Sequence, residues 1–531
     1  MKLKNLDTIE KKASSASRLD FTRLGGALLF MLAAFIYAAT RDHAFSQSVP
    51  HAPALLVMAA LFGAYMAMNI GANDVANNMG PVVGSKALTM GGAIAIAAIF
   101  EALGAVIAGG EVVTTIKSGI IDPNAIGDAA VFVRVMACAL LAGAVWLNLA
   151  TAIGAPVSTT HSIVGAVLGA GIVGGGIDAV RWETMGAIVS SWVVSPLMGG
   201  AIAAAMLYLI KRTVTYRSEM TKAAAQIVPP LNAVMAWAFG TYMLIKGFGS
   251  LIKMDFATAA LYAGIFAILI YLISRRHANK TAQRTENSKE AVNRLFGLPL
   301  IFAAALLSFA HGANDVANAI GPLAAIEETL RSAIVASEAT IPMWIMLIGA
   351  LGLAVGLALY GPKLIKTVGG EITDLDKMRA YCIALSAALT VILASQLGLP
   401  VSTTHVAIGA VFGVGFLREY LKSSHQKMLE LIIQAHEGEA RSRVEAYIAR
   451  FKAAPLEKKE IMLRAIKKKA AQKEANQPHF SKKERKVLKK EYKKELVKRS
   501  ALKKIVAAWI ITVPAAALLS AALFTLAQLA F

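Results

Sequence analysis

The chain has 531 residues, 56% of them hydrophobic and 16% charged, with a formal charge of +21 and a mean hydropathy of +0.58. A soluble multidomain protein rarely reaches such values, so the composition points to a polytopic membrane protein. The two cysteines, Cys138 and Cys382, lie in apolar runs; they leave no disulfide framework or cysteine metal cluster and read as small buried hydrophobes.

Apolar stretches of roughly 17 to 25 residues can cross ~30 Å of hydrocarbon as helix. Thirteen occur, near 24–40, 53–70, 87–109, 129–153, 157–176, 184–210, 227–247, 255–274, 298–325, 341–360, 379–398, 401–420 and 505–530. They are rich in Gly and Ala, which suits closely packed helices better than a β-barrel. The first follows a long basic amino terminus, MKLKNLDTIEKKASSASRLDFTR, which fits a signal anchor better than a cleaved peptide.

The second stretch runs into GANDVANNMGP (71–81), and the ninth carries GANDVANAIGP (312–322). PVSTTH opens the fifth at 156–161 and the twelfth at 400–405. WVVSP (192–196) in the sixth is echoed by WIITVP (509–514) in the thirteenth, and each cysteine lies 18 residues before the proline of PVSTTH. Two homologous halves follow, roughly 52–210 and 298–531. Each motif moves by seven stretches between copies, an odd number. If every stretch crosses once, the copies have opposite orientations, which makes an inverted-topology repeat of the kind common in secondary transporters.

One orientation puts the basic loops on the cytoplasmic side. With the amino terminus inside, the cytoplasm receives 211–222, 275–294, 361–379 and the long segment 421–504, and the carboxyl terminus lies outside. The segment 421–504 holds 25 Lys and Arg against 10 Asp and Glu, so most of the basicity is one cytoplasmic loop. KKERKVLKKEYKKELVKR (482–499) could attract anionic headgroups or nucleic acid. A solvated loop obeying the positive-inside rule is the preferred reading, and no nucleic-acid partner is expected.

The motifs carry the chemistry. Asn73, Asp74 and Asn77, repeated as Asn314, Asp315 and Asn318, cover one polar helix face or line an unwound corner near Gly71, offering carboxylate and amide oxygens with amide donors. Asn78 becomes Ala319 and is a weaker candidate. Intramembrane aspartates can be structural glue, but duplication in matched contexts favours function. In PVSTTH the proline opens a helix whose first turn has free N–H groups. Ser158, Thr159 and Thr160, and again Ser402, Thr403 and Thr404, add hydroxyls, making a small oxyanion site. Simple N-capping is the ordinary alternative. Two aspartates would repel an anion unless cations sit beside them, they are protonated, or the anion donates its own protons. Protonated phosphate can donate in that way; fully ionised sulfate cannot.

GANDVAN with PVSTTH, each duplicated in that order, resembles the inorganic phosphate transporter (PiT) family over about residue 52 to the carboxyl terminus. The resemblance implies an all-α inverted-repeat carrier of about twelve core transmembrane helices, here with one extra amino-terminal helix. It implies phosphate bound centrally and coupled to H+ or Na+, with no enzymatic activity and no resident cofactor. Some relatives carry metal–phosphate complexes and a few carry sulfate. By motif position, Asn73, Asp74, Asn77, Asn314, Asp315 and Asn318 would form the phosphate and cation site, with Ser158, Thr159, Thr160, Ser402, Thr403 and Thr404 around the phosphate.

Glu101, in AAIFEALGA, has no acidic counterpart in LGLAVGLAL of the second half and is a further coupling-ion candidate beside Asp74, Asp315, Asn73 and Asn314. His161 and His405 orient the motif hydroxyls, sense protons, or are merely hydrogen-bonded. The expected organisation is 1–51 as basic terminus and extra helix, 52–210 as first repeat and 211–297 as connection. The second repeat takes 298–420 and 505–531, interrupted by the basic loop. Expected partners are inorganic phosphate, alone or with a divalent metal, the bilayer of a cytoplasmic (inner) membrane, and a second copy of the chain. The alternatives are a sulfate permease, a passive channel and, in a different class, an intramembrane aspartyl protease.

Overall fold

The computed structural model describes residues 2–40, 45, 49–153, 157–247, 254–332, 341–371, 375–434, 436, 438–453, 462 and 499–530. Each of the thirteen apolar stretches is helical, the ninth as two successive helices, and among the described residues the only β pairing is an isolated bridge between Ile121 and Val180. The helices are α1 (Lys2–Thr40), α2 (Ala52–Gly84), α3 (Met90–Ala108), α4 (Gly110–Thr114), α5 (Pro123–Ile126), α6 (Ala129–Ala152), α7 (Thr159–Gly175), α8 (Trp182–Ile210) and α9 (Met220–Tyr242). They continue as α10 (Phe256–Gln283), α11 (Lys289–Leu295), α12 (Gly297–Asp315), α13 (Ala317–Ser332), α14 (Met343–Glu371), α15 (Lys377–Gln396), α16 (Thr403–Gln434), α17 (Gly438–Ala453) and α18 (Arg499–Ala530). The chain forms two compact units, Met1–Gly413 with Arg499–Phe531, and Val414–Lys498. In the second, α17 aligns buried Val444, Ile448 and Phe451 on one face; most of the expected basic loop lies outside the described residues.

Among the described residues, eleven helices are long and apolar enough to cross a membrane, so the protein is a multi-pass membrane protein. α7, with 17 residues, falls short of the length, and α16 is not among the eleven. The reason lies where they begin. Thr151, near the end of α6, accepts a hydrogen bond from Asn73 in α2 at 2.9 Å, and Ser395, near the end of α15, accepts one from Asn314 in α12 at 2.9 Å. At that level α2 crosses Leu353 of α14, the midpoint of the apolar span Met343–Pro362. The pairs α6–α7 and α15–α16 are therefore hairpins whose tips turn near mid-depth. This corrects the expectation that each of thirteen stretches crosses once; a hairpin in place of two crossings leaves the parity of the other helices unchanged. The open end of the first hairpin is closed by Asp122 N–H to Ala179 O (2.8 Å) and Arg181 N–H to Ile120 O (3.0 Å).

One further local reading changes. The helix of the second stretch does not end with its apolar run near residue 70 but continues through the motif to Gly84, so Asn73, Asp74 and Asn77 project from a helical face and not from an unwound corner. In the second copy the helix is interrupted only at Val316, between α12 and α13. Pro81 and Pro322 lie inside helices; lacking N–H, they leave the carbonyls of Asn77 and Asn318 without their usual donors. The stretch 110–119 is α4 followed by a π-helical turn, Thr115–Gly119. It is tied down by Thr115 Oγ1 to Gly398 O (2.7 Å) and by the Lys117–Glu328 ion pair (2.5 Å).

The helices that carry the motifs are held by backbone-to-backbone crossings. α2 and α14 approach through Gly71, facing the Leu353 carbonyl, and Gly356, facing that of Met68; α3 and α12 do so through Gly104 on Phe309 and Gly312 on Glu101. Without competition from water between helices, such dispersion contact is the main attraction available. α1 adds a flank, with the Tyr37 and Trp344 rings 6.3 Å apart.

A Cβ at Gly71 or Gly312 would be driven into a neighbouring carbonyl, whereas one at Gly186 meets open space. Gly71→Ala and Gly312→Ala should each cost about 1–3 kcal/mol and lower the melting temperature of the detergent-purified protein, with Gly186→Ala unchanged or slightly stabilised. Equal melting temperatures for all three would refute the crossing geometry.

Candidate functional site

The site forms where the two motif helices meet the two hairpin tips. None of Asn73, Asp74, Asn77, Asn314, Asp315, Asn318, Ser158, Thr159, Thr160, Ser402, Thr403 and Thr404 is more than 3% exposed. α7 and α16 begin at Thr159 and Thr403, later than the proline-first reading expects. Pro400 lies three residues ahead of its helix, and Pro156 is outside the described residues.

Ser158 and Ser402 take the capping role, their Oγ atoms accepting from His161 N (3.1 Å) and His405 N (3.2 Å). This is the alternative that the sequence left open, and it turns both serine oxygens onto their own helices. The threonines that follow occupy the first turn, where N–H groups lack intrahelical acceptors, and their hydroxyls face the aspartates. Thr159 donates to Asp74 Oδ2 at 2.8 Å and Thr404 to Asp74 Oδ1 at 2.9 Å. Thr403 donates to Asp315 Oδ2 at 2.9 Å, with Thr159 Oγ1 3.5 Å from the same oxygen. Thr160 instead donates to Val401 O at 3.0 Å, tying the first helix start to the second tip.

The asparagines complete a set of matched contacts. Asn77 Nδ2 donates to Thr404 (2.8 Å), and Asn318 Nδ2 approaches Thr159 and Thr160 (3.2 Å each). Asn73 with Thr151 corresponds to Asn314 with Ser395. Committing the amide nitrogens in this way leaves the oxygens Asn73 Oδ1, Asn314 Oδ1 and Asn318 Oδ1 buried with no hydrogen-bond partner among the described residues, together with Asp315 Oδ1 and Glu101 Oε2. Buried acceptors rarely go unmatched, and a group of them has the character of a hard-cation ligand set.

One residue was missed by sequence reasoning. His311, fully buried, places Nδ1 3.1 Å from Glu101 Oε1 and Nε2 3.1 Å from Asp315 Oδ2 and 3.9 Å from Asp74 Oδ2. Glu101 also accepts from Asn78 Nδ2 at 3.0 Å. Asp74, His311 and Asp315 present ligand atoms within 4.8 Å of one another. The signal was available: His311 stands four residues before Asp315, on the same helix face, and the matching position in the first motif is Ile70. The glycine crossings show how the flank differs, since Glu101 faces Gly312 as Leu353 faces Gly71. One flank carries Glu101 and His311 where the other has Leu353 and Ile70.

His161 and His405 point away from the carboxylates into a stack of rings. His161 lies 3.8 Å from Trp192 and 4.4 Å from His405, which lies 3.6 Å from Trp509 (centroid distances). Cys138 and Cys382 are buried free thiols outside the motif contacts.

A family model described as the phosphate transporter family matches residues 70–520. A Helicobacter pylori protein that bears the name phosphate permease is 53% identical over 531 residues, covering 99% of this chain and 98% of its own length. A Pyrococcus furiosus protein of the same name is 39% identical over 366 residues, covering 68% of this chain and 88% of its own. Among solved structures, a sodium-dependent phosphate transporter superposes with a TM-score of 0.72 at 31% identity, over 90% of this chain and 100% of that one.

Glu101→Leu alone takes the acceptor from His311 Nδ1 and Asn78 Nδ2 while His311 keeps Asp315 on its other side, and should cost roughly 3 kcal/mol. Combining Glu101→Leu with His311→Ile reproduces the Leu353–Ile70 flank and should return at least half of that loss, a non-additivity visible in melting temperatures. Additive losses in the double variant would mean that the two side chains do not act as a pair.

Proposed function

The chain belongs to the phosphate transporter family, and on that premise we propose that it is a secondary carrier that imports inorganic phosphate in symport with a cation. The observation that carries this reading is the exchange of hydroxyl and carboxylate partners at the centre: Thr159, Thr403 and Thr404 donate to Asp74 and Asp315. The same groups are complementary to the two faces of a protonated phosphate, whose bare oxygens accept from threonine hydroxyls and helix N–H groups and whose P–O–H groups donate to the carboxylates. Sulfate lacks those donors and should compete weakly. The intramembrane protease alternative gives way, since the family is one of transporters.

The buried acceptor oxygens support sodium as the coupling ion: matched amide oxygens on Asn73 and Asn314, with carbonyls of Asn77 and Asn318 freed by prolines, make an oxygen-rich environment of neutral and anionic ligands. A second reading, proton coupling, is favoured by His311 between Glu101, Asp315 and Asp74, and the same Asp74–His311–Asp315 group would suit a divalent metal travelling with phosphate. The matched contacts of the two motif sets support an inverted pair of repeats, 52–210 with 298–420 and 505–531. Positive-inside loops support a cytoplasmic amino terminus and basic loop 421–504, with the carboxyl terminus outside, in the cytoplasmic membrane.

Labelled phosphate uptake into proteoliposomes, with sodium, pH and divalent metal varied independently, is the test. Concentrative uptake separates a carrier from a channel. Asp74→Asn and Asp315→Asn should each lower initial rates about ten- to a hundredfold, the equivalent of losing roughly 1.5–3 kcal/mol of charged hydrogen bonding, and wild-type rates in both would refute the site. Uptake driven by a sodium gradient at equal pH, and retained in His311→Gln, assigns sodium. Uptake that needs a proton gradient and disappears in His311→Gln assigns the proton.

A further inference from the structure

The ring stack is unabsorbed by the transport reading. Trp192 of α8, His161 of α7, His405 of α16 and Trp509 of α18 form a continuous column, with successive centroids 3.8, 4.4 and 3.6 Å apart and interplanar angles of 41°, 87° and 32°. The central pair meets edge to face, an arrangement that aromatic rings favour, and the outer pairs are in close tilted contact. The two imidazoles are at most 5% exposed.

The column joins the two halves at the point where their hydroxyls are presented. His161 directly follows Thr160 and His405 directly follows Thr404, each in a first turn fixed by a serine cap. The position of each ring therefore sets the position of the threonines beside it. The four helices are also stitched crosswise. Gly165 and Gly169 of α7 lie against Val513 and Ala517 of α18, and Ser520 donates to Ala166 O at 2.7 Å. Gly409 and Gly413 of α16 lie against Pro196 and Gly200 of α8, and Trp192 Nε1 donates to Pro400 O at 3.1 Å. Each hairpin arm thus packs on the tryptophan helix of the other half.

We infer that the Trp192–His161–His405–Trp509 column is a clasp that holds the two threonine-bearing helix starts at one spacing, so that His161 and His405 are positioning residues for phosphate and act by ring contact. The inference rests on the reading of those threonines as phosphate donors. An anion that bridges both starts requires hydroxyls from separate helices to fall in register, and misplacement by about 1 Å is enough to cost a large part of such an interaction. The clasp also makes α7 and α16 one body, so that the hydroxyl side of the site shifts as a unit relative to the aspartate side on α2 and α12.

The test is phosphate uptake by full-length variants in proteoliposomes, with initial rates taken across phosphate concentration and across pH. His161→Phe/His405→Phe keeps flat rings, so the KM stays within about twofold of wild type and the pH profile is unmoved. His161→Ala/His405→Ala opens the column, and the KM rises about tenfold or more. Trp192→Leu and Trp509→Leu cut the column from either end and raise the KM in the same direction; they carry the test if the double alanine variant does not fold. Alanine and leucine variants with the wild-type KM overturn the clasp. A phenylalanine double variant with a displaced pH profile overturns it too, because the imidazole proton would then be the working part. Asp74→Asn measured alongside separates the two levels: uptake lost there but unchanged in the histidine and tryptophan variants keeps the site and rejects the clasp alone.

Discussion

The carboxylate of Asp74 accepts one hydroxyl from each half of the chain, Thr159 on α7 and Thr404 on α16. Much of the molecule serves that junction. A carboxylate at mid-depth in an apolar bundle needs hydrogen bonds to offset its desolvation, and helix starts brought to the same depth supply hydroxyl donors for it beside the His311 imidazole. Hairpins that turn inside the protein supply them. The backbone that turns is irregular, which hydrocarbon would not tolerate at a lipid face, so the tips are enclosed by α2, α12 and each other. The glycine crossings then let the enclosing helices come close enough to leave no gap.

Because threonine and aspartate satisfy one another, admission of phosphate on the proposed reading exchanges hydrogen bonds and does not simply add them. Net affinity is the difference between two similar sets of contacts. An exchange of this sort favours ready release, which a carrier requires as much as capture.

The thirteen apolar runs were legible because hydropathy reports burial in lipid or protein alike, and each proved to be helical. It could not distinguish a crossing from a hairpin arm, since α7 is apolar beyond its polar first turn, although that turn lies at the site. The polar half of α2 was also hidden: Asn73, Asp74 and Asn77 lower hydropathy, and the partners that make them acceptable in a helix lie far away in the chain. The duplicated motifs singled out aspartates and threonines that the fold brings together, but could not decide between capping and ligand roles for the serines, because a capping oxygen and a ligand oxygen look alike in one dimension. His311 was missed for a related reason. Its partner Glu101 sits on α3, and neither residue has a counterpart in the other half, so a search for repeats passes over both.

That mismatch matters for the cycle. On the two-fold reading proposed above, a site whose flanks matched in every side chain would present equivalent surroundings to phosphate arriving from either side and would contribute equally to the two end states. Glu101 and His311 on one flank, with Leu353 and Ile70 on the other, remove that equality. On that reading the two facings differ in the surroundings they give the site, and a transported ion could favour one of them only through its different contacts with the two flanks.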